Sequence, residues 1–207
     1  MASSNRSKRK SLAQLLEEFK QQRREVAVGL QDRIAGLAYA LPETPDDLVE
    51  EIRLRLLRAQ GEGRITSARE EIWGIKATPG AYKRTLITGG EKDFDRDKSR
   101  KHFAIDGGAW FDFAITVEST EAGLRLYSYN FEIRFGAKES PAFVRFDLNS
   151  PVHDNATLGF RSHLHPGTDD WSVPMAVLTP VELIDLFTYG IYERRRRPRT
   201  KGKAKRA

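Results

Sequence analysis

Between residues 109 and 148 the chain alternates with a period of two. Phe111, Phe113, Ile115 and Val117 are separated by Asp112, Ala114 and Thr116, and Tyr127, Tyr129, Phe131, Ile133 and Phe135 by Ser128, Asn130, Glu132 and Arg134. Such alternation marks strands with one buried face. Strands are predicted over 102–106, 109–118, 123–135, 142–148 and 157–165. They are joined by turn-rich pieces such as Asp106-Gly107-Gly108, Glu121-Ala122-Gly123 and Gly136-Ala137. In this order they read as an antiparallel meander.

Upstream, the period is helical. Ser11 is placed to cap a helix whose apolar positions are Leu12, Leu15, Leu16, Phe19, Leu30, Ile34 and Leu37. Thr44-Pro45-Asp46-Asp47 is a stronger start signal, with a hydroxyl cap, proline in the first turn and acids beside the helix N-terminus. Leu48, Ile52, Leu54, Leu56 and Leu57 follow, and Gly61-Glu62-Gly63 closes the segment. Pro42 separates the two helices, which predicts a helical hairpin. Residues 64–76 fit helix and strand equally, and 88–101 read as a mobile, charged loop. Thr179-Pro180 opens a last helix, placed to cover the sheet with Val181, Leu183, Ile184, Phe187, Ile191 and Tyr192. The expected fold is α+β: an N-terminal helical hairpin, an antiparallel β-sheet meander and a C-terminal helix over it.

Charge divides the chain further. Its 207 residues include 35 Lys+Arg and 29 Asp+Glu, a formal charge of +6. Four bases lie in residues 1–10 (Arg6, Lys8, Arg9 and Lys10). Nine more lie in residues 194–207: Arg194, Arg195, Arg196, Arg197, Arg199, Lys201, Lys203, Lys205 and Arg206. Residues 11–193 therefore carry 22 bases against 29 acids. The organisation expected is a basic disordered N-terminus (1–10), the hairpin (11–62), an α+β domain with a histidine cluster (63–193) and a basic disordered tail (194–207). The tail residues are the expected nucleic-acid contacts, because lysine and arginine runs neutralise phosphates without reading sequence. There is no run of about 18 apolar residues, so no membrane span is expected. The absence of cysteine excludes disulfides, cysteine zinc sites, iron–sulfur clusters and thiol nucleophiles, and is compatible with the cytoplasm.

Three of the four histidines, His153, His163 and His165, fall close together. On a strand, Arg161, His163 and His165 share one face while Ser162 and Leu164 take the other, and Arg145 and Asp147 likewise share a face. If the two strands are neighbours, Arg145, Asp147, His153, Arg161, His163 and His165 form one polar site. Histidine can accept a proton from a hydroxyl and donate one to a leaving oxygen, and arginine can stabilise a transferring phosphoryl group. With an RNA 2′-hydroxyl as nucleophile, no cofactor is required. The alternatives are structural histidines, or a zinc or manganese site built from His153, His163, His165 and Asp147 or Asp154. Asp169-Asp170 are expected to make turn hydrogen bonds, Trp110 and Trp171 to pack, and the Tyr127–Tyr129 aromatics to belong to the core.

Leu126-Tyr127-Ser128-Tyr129-Asn130, Val144-Arg145-Phe146-Asp147 leading through Asn149 and Pro151 to His153, Phe160-x-x-His163-Leu164-His165 and the helix at 180–191 follow one another in this order. On these motifs residues 124–191 resemble the TumE-like toxin family of bacterial toxin–antitoxin systems. Arg145, Asp147, His153, His163 and His165 are the matched positions. The resemblance implies a toxin or defence effector that cleaves RNA and is restrained by an antitoxin. Members of the family are shorter, which leaves the hairpin as an added partner-binding or self-association module. The alternative is a non-enzymatic nucleic-acid-binding or scaffold subunit of a larger complex.

Overall fold

A computed structural model describes residues 11–18, 20–22, 25, 40–92, 95–135, 139–153 and 161–191. The basic tail expected at 194–207, the basic N-terminus expected at 1–10 and the second half of the first predicted helix lie outside these residues. Residues 12–18 are helical, but Leu12, Leu15 and Leu16 are exposed among the described residues. Among the described residues, no helix is long and apolar enough to cross a membrane.

Helix α1 (Pro45–Gly61) starts where the sequence says it should: the Thr44 hydroxyl accepts a hydrogen bond from the Asp47 amide at 3.1 Å. Leu48, Val49, Ile52, Leu56 and Ala59 form its buried stripe, and Leu54 falls outside it and is exposed. The ambiguous stretch resolves into a short helix, α2 (Arg69–Trp73), and the start of strand β1 (Lys76–Pro79). Strands β1 and β2 (Arg84–Gly89) have too little alternation to announce themselves. The anticipated 88–101 loop therefore begins two residues later than expected.

The sheet is entirely antiparallel. It contains β3 (Phe103–Ala104), β4 (Trp110–Thr120), β5 (Gly123–Arg134), β6 (Phe143–Leu148), β7 (Ser162–His165) and β8 (Val173–Pro174). The strand order is β1-β2-β4-β5-β6-β7-β8, with β3 also paired to β4. Residues 154–160 lie outside the described residues, so of the predicted strand 157–165 only Ser162–His165 is placed as strand. One face of the sheet is the apolar core. Phe113 stacks on Phe131 with ring centres 5.0 Å apart, and Phe187 meets Phe111 edge-on at 5.4 Å.

Helix α3 (Pro180–Asp185) has the predicted start, with Thr179 and Glu182 forming a reciprocal capping box. It continues without a break into a π-helical turn at Leu186–Gly190, so helical backbone spans nearly the expected 180–191 with a wider winding in its second half, and Leu183, Ile184 and Phe187 are buried as anticipated. An Arg55–Asp185 ion pair of 2.9 Å joins α1 to α3.

Two sequence expectations fail on the opposite face. A bulge pairs Thr116 with Ser128 and Val117 with Leu126, leaving Tyr127 as the extra residue. The alternation breaks there: Tyr129 and Phe131 enter the core, while Tyr127 lies under the Arg84 guanidinium, 3.8 Å from its ring centre. The second failure is larger. Asp112, Glu132 and Arg134, read from alternation as a solvated face, are each at most 3% exposed.

Candidate functional site

The site is assembled by register. Asp112, Glu132, Arg145 and His165 are successive partners across β4, β5, β6 and β7, and Ala114, Asn130, Asp147 and His163 form the next row. Strands β6 and β7 are thus neighbours, and Asp147 stands beside both imidazoles. Its Oδ2 lies 3.4 Å from His165 Nε2 and 3.7 Å from His163 Nε2, and the two rings are 4.9 Å apart in an edge-on arrangement. Asn130 donates to Asp147 Oδ1 at 2.5 Å, and Arg145 Nε donates to Oδ2 at 2.8 Å. The carboxylate is therefore held from both sides while its Oδ2 faces the imidazoles.

An ion-pair network extends from that carboxylate. Arg134 bonds Asp112 at 2.5 Å and Glu132 at 2.9 Å. Glu132 also accepts from Arg96 Nε at 2.8 Å and lies 3.7 Å from Arg145. Asp169 completes the ring, 2.5 Å from Arg145 Nη1 and 3.2 Å from Arg96 Nη2. Burial pushes the Asp169 carboxyl up, but the Arg96 and Arg145 guanidiniums outweigh it and hold the group below the ordinary aspartate value. Burial works to lower Arg145, and Asp147 and Asp169 more than reverse that effect. Three guanidiniums (Arg96, Arg134, Arg145) meet four carboxylates (Asp112, Glu132, Asp147, Asp169), so the formal count has one excess negative charge.

Arg96 reaches this face from the segment between β2 and β3. Those two strands share one lane along β4: Gly89 pairs with Phe113, and Phe103 with Phe111. The chain leaves that lane at Gly90 and returns through a neck closed by the Glu91 amide donating to the Lys101 carbonyl at 2.7 Å. Gly90 has φ +80°, and a Cβ there would lie 2.7 Å from the Lys101 carbonyl oxygen, so the neck requires glycine. Inside the loop, Arg96 reaches Glu132 and Asp169 and lies 3.6 Å over the Phe143 ring centre. His163 is 4% exposed and His165 7%, and His165 Nδ1 has no hydrogen-bond partner among the described residues.

Of the six expected site residues, the structure brings together Arg145, Asp147, His163 and His165. It does not bring in Arg161, whose guanidinium is spent on the carbonyls of Asn149, Leu126 and Tyr127 around the bulge. It does not bring in His153 either, which sits exposed in the turn after β6, outside the group whose ligand atoms lie within 4.8 Å of one another. Asp170 makes the expected turn bond with Thr168, but Asp169 joins the network instead. Trp110 packs, whereas Trp171 is 70% exposed.

Sequence reasoning missed Asp112, Glu132, Arg134, Arg96 and Asn130. The available signal was charge complementarity at equivalent alternation positions of adjacent strands, Asp112 and Glu132 against Arg134 and Arg145. Compared with known proteins, the chain matches no family model, no curated protein and no solved structure.

Proposed function

We propose that this protein is a nucleic-acid-acting toxin or defence effector that cleaves RNA by histidine acid–base chemistry. The observation that carries the reading is the placement of both His163 and His165 Nε2 atoms within 3.7 Å of the Asp147 carboxylate, beside the Arg145 guanidinium. The resemblance of residues 124–191 to the TumE-like toxins supports it, as does the basic tail expected to recruit a polyanion.

In the step proposed, one imidazole takes the proton of an RNA 2′-hydroxyl as its oxygen bonds to the adjacent phosphorus. The bond from phosphorus to the 5′-oxygen breaks, and the second ring, as imidazolium, gives that oxygen its proton. One fragment ends in a 2′,3′-cyclic phosphate and the other in a 5′-hydroxyl. Asp147 orients the imidazoles, and Arg145 stabilises charge on the phosphoryl oxygens. Both rings are buried, so this reading requires local opening for substrate to reach them.

A second reading is favoured by one geometric fact: Asp147, His163 and His165 each offer a ligand atom within 4.8 Å of the others. Zinc or manganese would suit this set, and the excess negative charge of the network complements a divalent cation. Such an ion would activate a water for phosphodiester hydrolysis.

Incubation of purified full-length protein with end-labelled RNA, with and without chelator, tests both. Cleavage that survives chelator and is lost in the His163→Ala/His165→Ala variant is expected. Cleavage abolished by chelator and restored by zinc or manganese establishes the metal reading. Intact RNA under every condition, with salt-sensitive RNA binding, overturns both in favour of a binding subunit.

A further inference from the structure

The geometry points to a phosphoryl-binding site formed by Arg96 and Arg145 and occupied, in this closed state, by the protein's own Asp169 carboxylate. The inference extends the RNA-cleaving reading of the same site, but it stands on separate observations. Asp169 is unlike the other acids of the network. Asp112 and Glu132 are fully buried strand residues, whereas the Asp169 side chain is 56% exposed and comes from the loop between β7 and β8. Among the described residues its side-chain partners are the two guanidiniums: Oδ1 accepts from Arg145 Nη1 at 2.5 Å, and Oδ2 from Arg96 Nη2 at 3.2 Å.

Both arginines are held in place without it. Arg145 is fixed by Asp147 at 2.8 Å and faces Glu132 at 3.7 Å. Arg96 is fixed by Glu132 at 2.8 Å and by the Phe143 ring beneath it. Withdrawal of Asp169 therefore exposes a preorganised pair of guanidinium donors rather than releasing two mobile side chains. Guanidiniums converging on one oxyanion are matched to phosphate oxygens in the same way as to a carboxylate.

Charge supports the exchange. With Asp169 withdrawn, three guanidiniums face three carboxylates, and a singly charged phosphodiester restores the balance of the closed state. Position supports it as well. Arg145 is the direct cross-strand partner of His165, so a phosphoryl group replacing the Asp169 carboxylate would lie beside the imidazole pair. Asp169 then acts as an internal stand-in for substrate, keeping the site closed until a phosphate competes for the arginines. Its loop turns at Gly167, which has φ +85° and lies so close to Pro141 that a Cβ would sit 2.7 Å from that ring.

The test is equilibrium binding of inorganic phosphate, and of a 2′-O-methyl trinucleotide that cannot be cleaved, to full-length wild type, Asp169→Asn and Asp169→Ala at fixed ionic strength. The variants are expected to bind phosphate at least about tenfold more tightly than wild type, with Ala exceeding Asn, and adding Arg96→Gln is expected to remove the gain. A gain for the trinucleotide identifies a nucleic-acid phosphodiester as the ligand, and a gain for inorganic phosphate alone identifies a free-anion site. If folded Asp169→Asn and Asp169→Ala bind both probes no more tightly than wild type, the site is overturned. Because binding is read without turnover, RNA cleavage by wild type would still leave the catalytic reading standing. Conversely, a phosphate gain with no cleavage by any variant would refute catalysis and leave the site.

Discussion

Replacing Arg134 with Met probes the claim that the polar face of the sheet is sealed from water. The Arg134 side chain is 4% exposed, and it bonds Asp112 at 2.5 Å and Glu132 at 2.9 Å. In Arg134→Met, Asp112 loses the Arg134 guanidinium and Glu132 keeps Arg96 at 2.8 Å and Arg145 at 3.7 Å. Breaking a buried pair from one side costs about 3–5 kcal/mol, and Met preserves enough volume that little of this comes from a cavity. For a chain of this size that is a fall in Tm of about 6–20 °C. Urea denaturation followed by tryptophan fluorescence measures it. The companion variant Arg134→Met/Asp112→Leu removes both charges and is expected to regain at least about 2 kcal/mol over the single variant, since well-packed apolar residues often replace a buried pair at no cost. A loss below about 1 kcal/mol in Arg134→Met, or no recovery in the double variant, would refute the sealed network.

Three further outcomes follow from the same geometry. Thr179→Ala removes the side-chain half of the α3 capping box and is expected to cost about 1 kcal/mol in urea denaturation. The Asp169 carboxyl titrates below its ordinary value when folded, so its contribution is complete above about pH 4 and is lost as pH falls through the folded value. Asp169→Asn should therefore flatten that acidic limb of the stability–pH curve, while above pH 5 the variant is less stable by a constant amount and the slope is unchanged. Gly90→Ala places a Cβ against the Lys101 carbonyl at positive φ, and is expected to destabilise the protein by about 1–3 kcal/mol and to raise hydrogen exchange at the Glu91 amide.

The sequence made the local signals legible. Thr44-Pro45 and Thr179-Pro180 announced helix starts because caps are decided by a few adjacent residues. The alternation of Phe111 to Val117 announced a strand because its apolar face is continuous. The pairing of Arg145 and Asp147 with His163 and His165 was conditional on β6 and β7 being neighbours, and register alone decides that. What local pattern could not convey is that charge on the second face is buried. Asp112, Glu132 and Arg134 satisfy one another across strands, and Arg96 and Asp169, remote in sequence, extend the network. Arg161 was misplaced for a related reason: the bulge at Tyr127 creates carbonyl acceptors that no periodicity reveals.

We propose that the Asp147–His163–His165 group transfers protons during RNA cleavage. Mass analysis of the ends produced from a defined RNA, in the presence of chelator, tests it most directly. The expected products are 2′,3′-cyclic phosphate and 5′-hydroxyl ends, formed by wild type and absent when the cleaved nucleotide is 2′-deoxy. Fragments with 3′-hydroxyl and 5′-phosphate ends, cleavage of the 2′-deoxy substrate, or undamaged RNA would contradict it.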